Sequence, residues 1–407
     1  MLNNASTLPR QVLRCCLALV LLLPFASAQA ELLGYIGGQL RWFPETALDS
    51  DQGDTSASLV LAPEWYSEFN DRNDSINLKL FYRYDSMDSE RSHGDIRELY
   101  WLHVGSDWEF TLGLNKIFWG VTESQHLVDI INQTDFVEAP DGDEKLGQAM
   151  AHLALIKDWG VLDLFALPGF RPMTFAGKDG RLRSIPVTIA DKDSYEDSRA
   201  KDHVDFAARW SHYIGNLNFG LSWFNGTGRE PLFRPTVHQG QTALQPHYVQ
   251  IQQLGLDTQY IVGDASFKLE AIRREYDTPL ASDYTAVTAG VEHTLVGVRD
   301  TIFDLGLLAE YSYDSRPAGF AGRLQNDLLL GGRLAFNDIA SSEMLFGVIQ
   351  DLDETESRAI FLESSTRIGD RTKVSIEASI INSNTPQSDL YLGRRDSYLE
   401  FSAEYYF

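Results

Sequence analysis

The sequence predicts an all-β chain folded as a transmembrane antiparallel β-barrel of about eighteen strands, with about sixteen as the alternative. Three observations point there. Segments about ten residues long alternate apolar with polar side chains, the connections between them are short and long in turn, and aromatic residues gather near strand ends. Period-two alternation sets one face of a strand in apolar surroundings and the other in polar ones, and the longer period of a helix is nearly absent.

Composition agrees. The chain has 407 residues, 34 Lys plus Arg against 58 Asp plus Glu, a formal charge of −24, 43% hydrophobic and 12% aromatic content. Such acidity excludes nucleic acid as a partner, because phosphate binding needs a clustered basic footprint. No apolar run approaches the roughly 18 residues of a spanning helix, so any membrane crossing must be made by strands.

Residues 1–30 read as a cleaved secretory signal. Arg10 and Arg14 supply the positive start, 15–25 the apolar stretch, and Ala28-Gln29-Ala30 the small-x-small cleavage site. Cys15 and Cys16 both lie in it, and Arg14 before Cys15 is wrong for a lipid-modified cysteine. The expected remainder, 31–407, is one barrel domain without cysteine, so disulfides and thiolate chemistry are excluded from it.

The strands follow in order. The first is expected at 32–43. Ile76, Leu78, Leu80 and Tyr82 oppose Asn77, Lys79 and Arg83, and Trp108, Phe110, Leu112 and Leu114 oppose Glu109, Thr111 and Asn115. Val204, Phe206, Ala208 and Trp210 oppose Asp205, Arg209 and Ser211, and Leu217, Phe219, Leu221 and Trp223 oppose Asn218 and Ser222. Phe303, Leu305, Leu307 and Ala309 oppose Asp304 and Glu310, and Val374, Ile376, Ala378 and Ile380 oppose Ser375, Glu377 and Ser379. Residues 248–262 slip phase near Gln252-Gln253, as a bulge would make them do, and 343–350 are apolar on both faces.

Tight turns fall at 70–74, 105–106, 158–160, 215–216, 263–264, 297–300, 337–341 and 369–371. Between them lie the longer connections 44–55, 86–94, 120–147, 169–202, 226–246, 277–283, 314–325, 351–357 and 382–395. Eight short and nine long connections give eighteen strands, with both termini and all the short turns on one side, as outer-membrane barrels have. A soluble sandwich would share the alternation. It does not account for the short-long order or for aromatics at strand ends such as Trp42, Tyr84, Trp210, Tyr213 and Tyr313.

The last ten residues, YLEFSAEYYF, resemble the C-terminal signature of Gram-negative outer-membrane β-barrel proteins, with a final Phe407 and Phe401 and Tyr405 at alternate positions before it. That resemblance implies recognition by the barrel assembly machinery and periplasmic chaperones, and contact with outer-membrane lipid and lipopolysaccharide. A second stretch, 114–120 (LNKIFWG) followed by 129–135 (DIINQTD), is similar to a strand-end Trp-Gly and downstream Asp-x-x-Asn pattern in poorly characterised proteobacterial porin-like barrels. It covers some twenty residues and departs from the pattern at Asn132-Gln133, where Asn-Pro is usual.

No catalytic constellation is present: there is no His-Glu-x-x-His, Gly-x-Ser-x-Gly, P-loop or dinucleotide fingerprint, and the nine histidines lack metal-ligand spacing. No enzyme, cofactor or metal is expected. The 191–202 run lacks the glycine that a calcium loop places where Glu196 stands, and the acidic turn 141–144 reads as solvated.

Eighteen strands enclose more space than wall side chains fill, so an aqueous channel is expected. Its wall should carry Glu109, Asp163, Asp205, Glu270, Glu292, Asp304, Glu310, Glu377, Glu400 and Glu404 against Lys79, Arg83, Arg209, Lys268 and Arg333, ten acids to five bases. An electronegative lumen favours cations weakly. The loop 120–147 is the favoured constriction, with 127–132 as a short helix that sets Asp129 and Asn132 one turn apart and Asp135 beyond. In 169–202, Arg171, Lys178, Arg181 and Arg183 could join Arg83 and Arg209 as a basic ladder facing the acids.

The expected function is a porin passing small hydrophilic solutes. The alternatives are a channel for hydrophobic or aromatic substrates, supported by Phe165, Leu308, Phe224 and Trp119, and a non-transport barrel acting as adhesin, scaffold or rim enzyme. Monomer and homotrimer are both compatible with the sequence.

Overall fold

A computed structural model describes residues 29–139, 141–183, 188–190, 192–238, 240–316 and 324–407, so most of the expected signal lies outside the described residues. The strands are β1 (Gln29–Trp42), β2 (Thr55–Phe69), β3 (Asp74–Asp85), β4 (Gly94–Val104), β5 (Trp108–Asn115), β6 (Gln148–Lys157) and β7 (Gly160–Pro168). Two short strands, β8 (Thr188–Ile189) and β9 (Ser194–Tyr195), precede β10 (Val204–Ile214) and β11 (Leu217–Thr227). Then come β12 (Leu232–His238), β13 (Gln241–Tyr248), β14 (Gln250–Val262), β15 (Ala265–Tyr276) and β16 (Tyr284–Leu295). The last are β17 (Asp304–Asp314), β18 (Asn326–Ala335), β19 (Glu343–Asp351), β20 (Arg358–Ile368), β21 (Thr372–Asn382) and β22 (Tyr398–Tyr406).

Without β8, β9, β12 and β13, eighteen strands form one antiparallel ring in which each pairs with its neighbours along the chain. The ring closes where β22 pairs with β1, from Tyr35 opposite Tyr406 to Trp42 opposite Leu399. Closure leaves no strand edge, which hydrocarbon would penalise by several kcal/mol per unpaired group. Leu32, Leu59, Tyr82, Leu254, Phe267 and Ile380 stand exposed on the outer surface, while their polar neighbours along each strand point inward.

The short connections sit at the expected places. Gly263, at φ +57°, makes the two-residue turn between β14 and β15 in a conformation that disfavours a side chain. β1 starts at Gln29, so the strand already includes the expected cleavage point after Ala30.

Three expectations are corrected. β14 keeps an unbroken register against both β11 and β15: Gln253 is buried inward and Gln252 is exposed outward near the strand's start, so two adjacent glutamines only looked like a slip. The irregularity lies instead between β3 and β4, where the register shifts at Lys79/Leu80 and Arg97 becomes the extra residue. Within the expected loop 226–246, β12 and β13 form a hairpin, and β13 also pairs in parallel with β8 and β9 of the preceding long loop. The 127–132 segment makes a single turn, closed by Asp129 N donating to His126 O, and no helix.

Because the outer face must match hydrocarbon, Leu256→Arg, mid-strand and outward on β14, should lower folding stability in lipid vesicles by about 2–4 kcal/mol, measured by urea titration. Asn218→Arg, inward on β11, should stay within about 0.5 kcal/mol of the parent.

Candidate functional site

The loop from 116 to 147 leaves β5 and folds into the lumen. Its two ends are stitched by Asn132, which accepts from Ile117 N at 2.8 Å and donates to Asn115 O and Leu146 O, both at 2.9 Å. Beyond that stitch its apolar side chains Trp119, Val128, Ile130 and Ile131 are buried against Phe165, Ala207, Phe224, Ile251, Ile272 and Ala286 of the wall. Each such burial contributes about 1.5–3 kcal/mol.

Carboxylates of the wall then hold the loop's backbone. Glu270 on β15 accepts from Val121 N at 2.7 Å, Thr122 N at 3.0 Å, Thr122 Oγ1 at 2.7 Å and Val128 N at 3.2 Å. Glu310 on β17 accepts from Glu123 N and Ser124 N, both at 2.8 Å, and Arg333 on β18 donates to Glu123 at 2.8 Å. These loop amides have no partner of their own, so the carboxylates act as caps do at helix starts. Returning toward β3 and β4, Asp135 pairs with Arg97 at 2.5 Å and accepts from Thr174 Oγ1 at 2.7 Å, and Glu138 pairs with Arg83 at 2.8 Å. Although burial pushes the Asp135 carboxyl up, the Arg97 guanidinium and its other donors hold it below the usual range. Asp129 is enclosed beside Lys145, 3.5 Å away, and burial pushes its carboxyl up.

The expected wall residues therefore divide. Glu270, Glu310 and Asp205 face inward but are 0%, 1% and 2% exposed, the first two beneath the loop and the third enclosed by His203, Thr227 and Arg229. Arg209 is paired with Asp257 at 2.7 Å, Lys268 with Glu292 at 3.0 Å, Asp163 with His152 at 2.8 Å, and Glu400 with Arg41 at 2.6 Å. Asp304 is turned to the short-turn rim, where it accepts from Gly297 N and Asn337, so it closes a turn rather than lining the lumen. Glu109 shares the inward face with Thr111 near the same rim.

On the opposite side the wall stays open. The side chains of Lys79 and Glu64 keep 38% and 31% exposure, and Glu363, Glu377, Glu404 and Lys373 share the inward face of β20 to β22. The tip of the loop carries Asp141, Asp143 and Glu144 into this space. Lumen water reaches Asp141, yet the barrel encloses it, and that burial, with Asp143 beside it and Glu377 across, pushes its carboxyl up to about 6.

The basic ladder expected from 169–202 is not formed as such, because Arg171, Lys178 and Arg181 of its four members are each taken up by a carboxylate. Arg171 binds Asp95 at 2.7 Å, Arg181 binds Asp396 at 2.7 Å, Lys178 pairs with Asp179 on the surface, and Arg83 and Arg209 have the partners named above. Of the 191–202 run, Asp191 lies outside the described residues and Glu196 anchors Gln250 N at 3.0 Å. Among the described residues no three His, Cys, Asp or Glu side chains converge in a metal-binding group.

Sequence reasoning missed Glu363, which extending the β20 alternation through Ala359 and Phe361 would have found. It also missed Arg97, Asp257 and Arg229, whose burial depends on contacts distant in sequence. Phe401 and Tyr405 lie on the outer face of the last strand, and Phe407, just past its end, is also exposed.

No family model matches the chain, and no curated protein does. Among solved structures, OmpT, an outer membrane protein of Vibrio cholerae in its trimer form, is 11% identical over 94% of this chain and 100% of that one, with a TM-score of 0.46. A mutant porin of Rh. blastica is 13% identical over 93% of this chain and 100% of that one, with a TM-score of 0.43.

If Glu270 holds the loop, Glu270→Ala should speed amide exchange at Val121, Thr122 and Val128 by about tenfold or more, as loss of charge-assisted hydrogen bonds worth about 1.5–3 kcal/mol requires. Hydrogen exchange resolved by residue measures it, and amides of β20 should not change.

Proposed function

We propose that the chain is an outer-membrane porin of Gram-negative type, passing small hydrophilic solutes down their gradients with a weak preference for cations. The observation that carries this is the half-sealed lumen. One inner face is covered by the loop, and the opposite inner face keeps Lys79, Glu64 and Glu363 exposed to water. A barrel of this size is hollow unless filled, and here the chain fills only part of it.

The open side sets the preference. Asp141 and Asp143 on the loop lie across from Glu363 and Glu377 on the wall, Glu144 pairs with Lys116 at 3.6 Å, and the acids are offset in part by Lys79 and Lys373. Charges across a narrow low-dielectric wall concentrate counter-ions. The rival hydrophobic route loses support, because Trp119, Phe165, Phe224 and Leu308 are buried beneath or beside the loop rather than facing open space. No observation favours an adhesin, scaffold or rim enzyme.

Placement in the outer membrane, cleavage of residues 1–30, and recognition of Phe401, Tyr405 and Phe407 by assembly machinery and chaperones belong to the same proposal. So do lipopolysaccharide contact and homotrimeric assembly.

Purified barrel in a planar bilayer under a salt gradient should conduct, with a cation-selective reversal potential. Absence of conductance, or anion selectivity, would contradict the proposal. Because a raised acid loses its charge at higher pH than usual, cation preference should fall as pH drops through about 6. Asp141→Asn should weaken the preference above that pH and flatten the pH response.

A further inference from the structure

Arg229 lies just past β11 in an outer loop, at 5% exposure, and touches four separate segments. Its Nε donates to Ile130 O at 3.1 Å and Ile131 O at 3.2 Å, and its Nη2 to Ile131 O at 2.9 Å. Its Nη1 donates to Asp205 of β10 and to Thr227 O, each at 2.9 Å. The rings of Phe170 and Phe224 lie 5.3 and 5.1 Å from the guanidinium carbon. Beside it the buried Gln133 donates to Arg229 O at 3.0 Å and to Arg171 O at 3.3 Å, tying the lumen loop to both outer loops.

The donor to the carbonyls of Ile130 and Ile131 in these contacts comes from a different loop. Burying a full charge is costly unless each of its hydrogen bonds is matched, so the site holds only with the loop carbonyls in place. We propose that Arg229 is a positioning residue for the passage. By locking the lumen loop to β10 and to the outer loops, it sets the width of the open half without touching it. This rests on the channel reading above.

A lysine at this position has its donors on a single nitrogen, so it cannot reproduce the fork in which Nε and Nη2 reach Ile130 and Ile131 while Nη1 reaches Asp205. The test compares the full-length barrel with Arg229→Lys and, should that variant not fold, Gln133→Ala. Fold is checked by unheated gel mobility and circular dichroism. Single-channel conductance should rise by roughly two-fold or split into sublevels, because conductance follows the narrowest cross-section.

An independent readout places Ile131→Cys in each background and measures labelling by a charged, membrane-impermeant maleimide. Ile131 is fully buried, so labelling should be absent in the parent and present in both variants. Unchanged labelling in the folded variants would overturn the positioning role whatever the conductance does. A parent barrel that does not conduct, with labelling still increased in the variants, would sink the channel reading and leave the positioning role standing.

Discussion

Everything in this molecule depends on closing the sheet. In hydrocarbon an unpaired backbone amide or carbonyl has no water to turn to, and the eight-residue pairing of β22 with β1 removes the last two edges. Closure with eighteen strands fixes a circumference, and that circumference leaves an interior too wide for wall side chains to fill. The interior is then divided by the chain's own loops. Trp119, Val128, Ile130 and Ile131 make a small apolar core on one side of the lumen, and the other side stays wet.

That division changes what the wall charges mean. Glu270, Glu310 and Asp205 are inward acids, but they are spent on loop amides and on Arg229, where they act as hydrogen-bond acceptors. Glu400 and Asp257 are matched by Arg41 and Arg209. The acidity left unpaired on the open side is the smaller set around Asp141, Asp143, Glu363 and Glu377. Buried pairs of this kind add little net stability compared with an apolar replacement, but losing one partner strands the other, so they specify where the loop lies.

The ring itself was legible in the amino-acid sequence: strand number, the order of short and long connections, and the facing of most side chains all follow from period-two alternation, which is a local property. What was not legible is non-local. The stretch 226–246 carries Pro235 and Pro246 and reads as loop, yet most of it forms a hairpin, because the preceding long loop supplies strands to pair with. Stretch 127–132 has helical spacing, but burying Val128, Ile130 and Ile131 on the wall, with the carbonyls of Ile130 and Ile131 accepting from Arg229, excludes a helix. Arg171 and Arg181 read as a free basic ladder until Asp95 and Asp396, distant in sequence, meet them. Inward facing could be read from one strand; exposure to the passage could not.

The central claim is a lumen sealed on one side and open on the other, and its most direct measurement is thiol accessibility. Single cysteines at Ser222, Thr288 and Ser312, and at Glu363, Ser375 and Ser402, sample the covered and open faces of the same ring. With a small charged thiol reagent applied to the barrel in vesicles, the second group should react fast and the first should be protected. Equal reactivity around the ring would show an unobstructed lumen and contradict the account, as would protection everywhere, which would mean the barrel is filled.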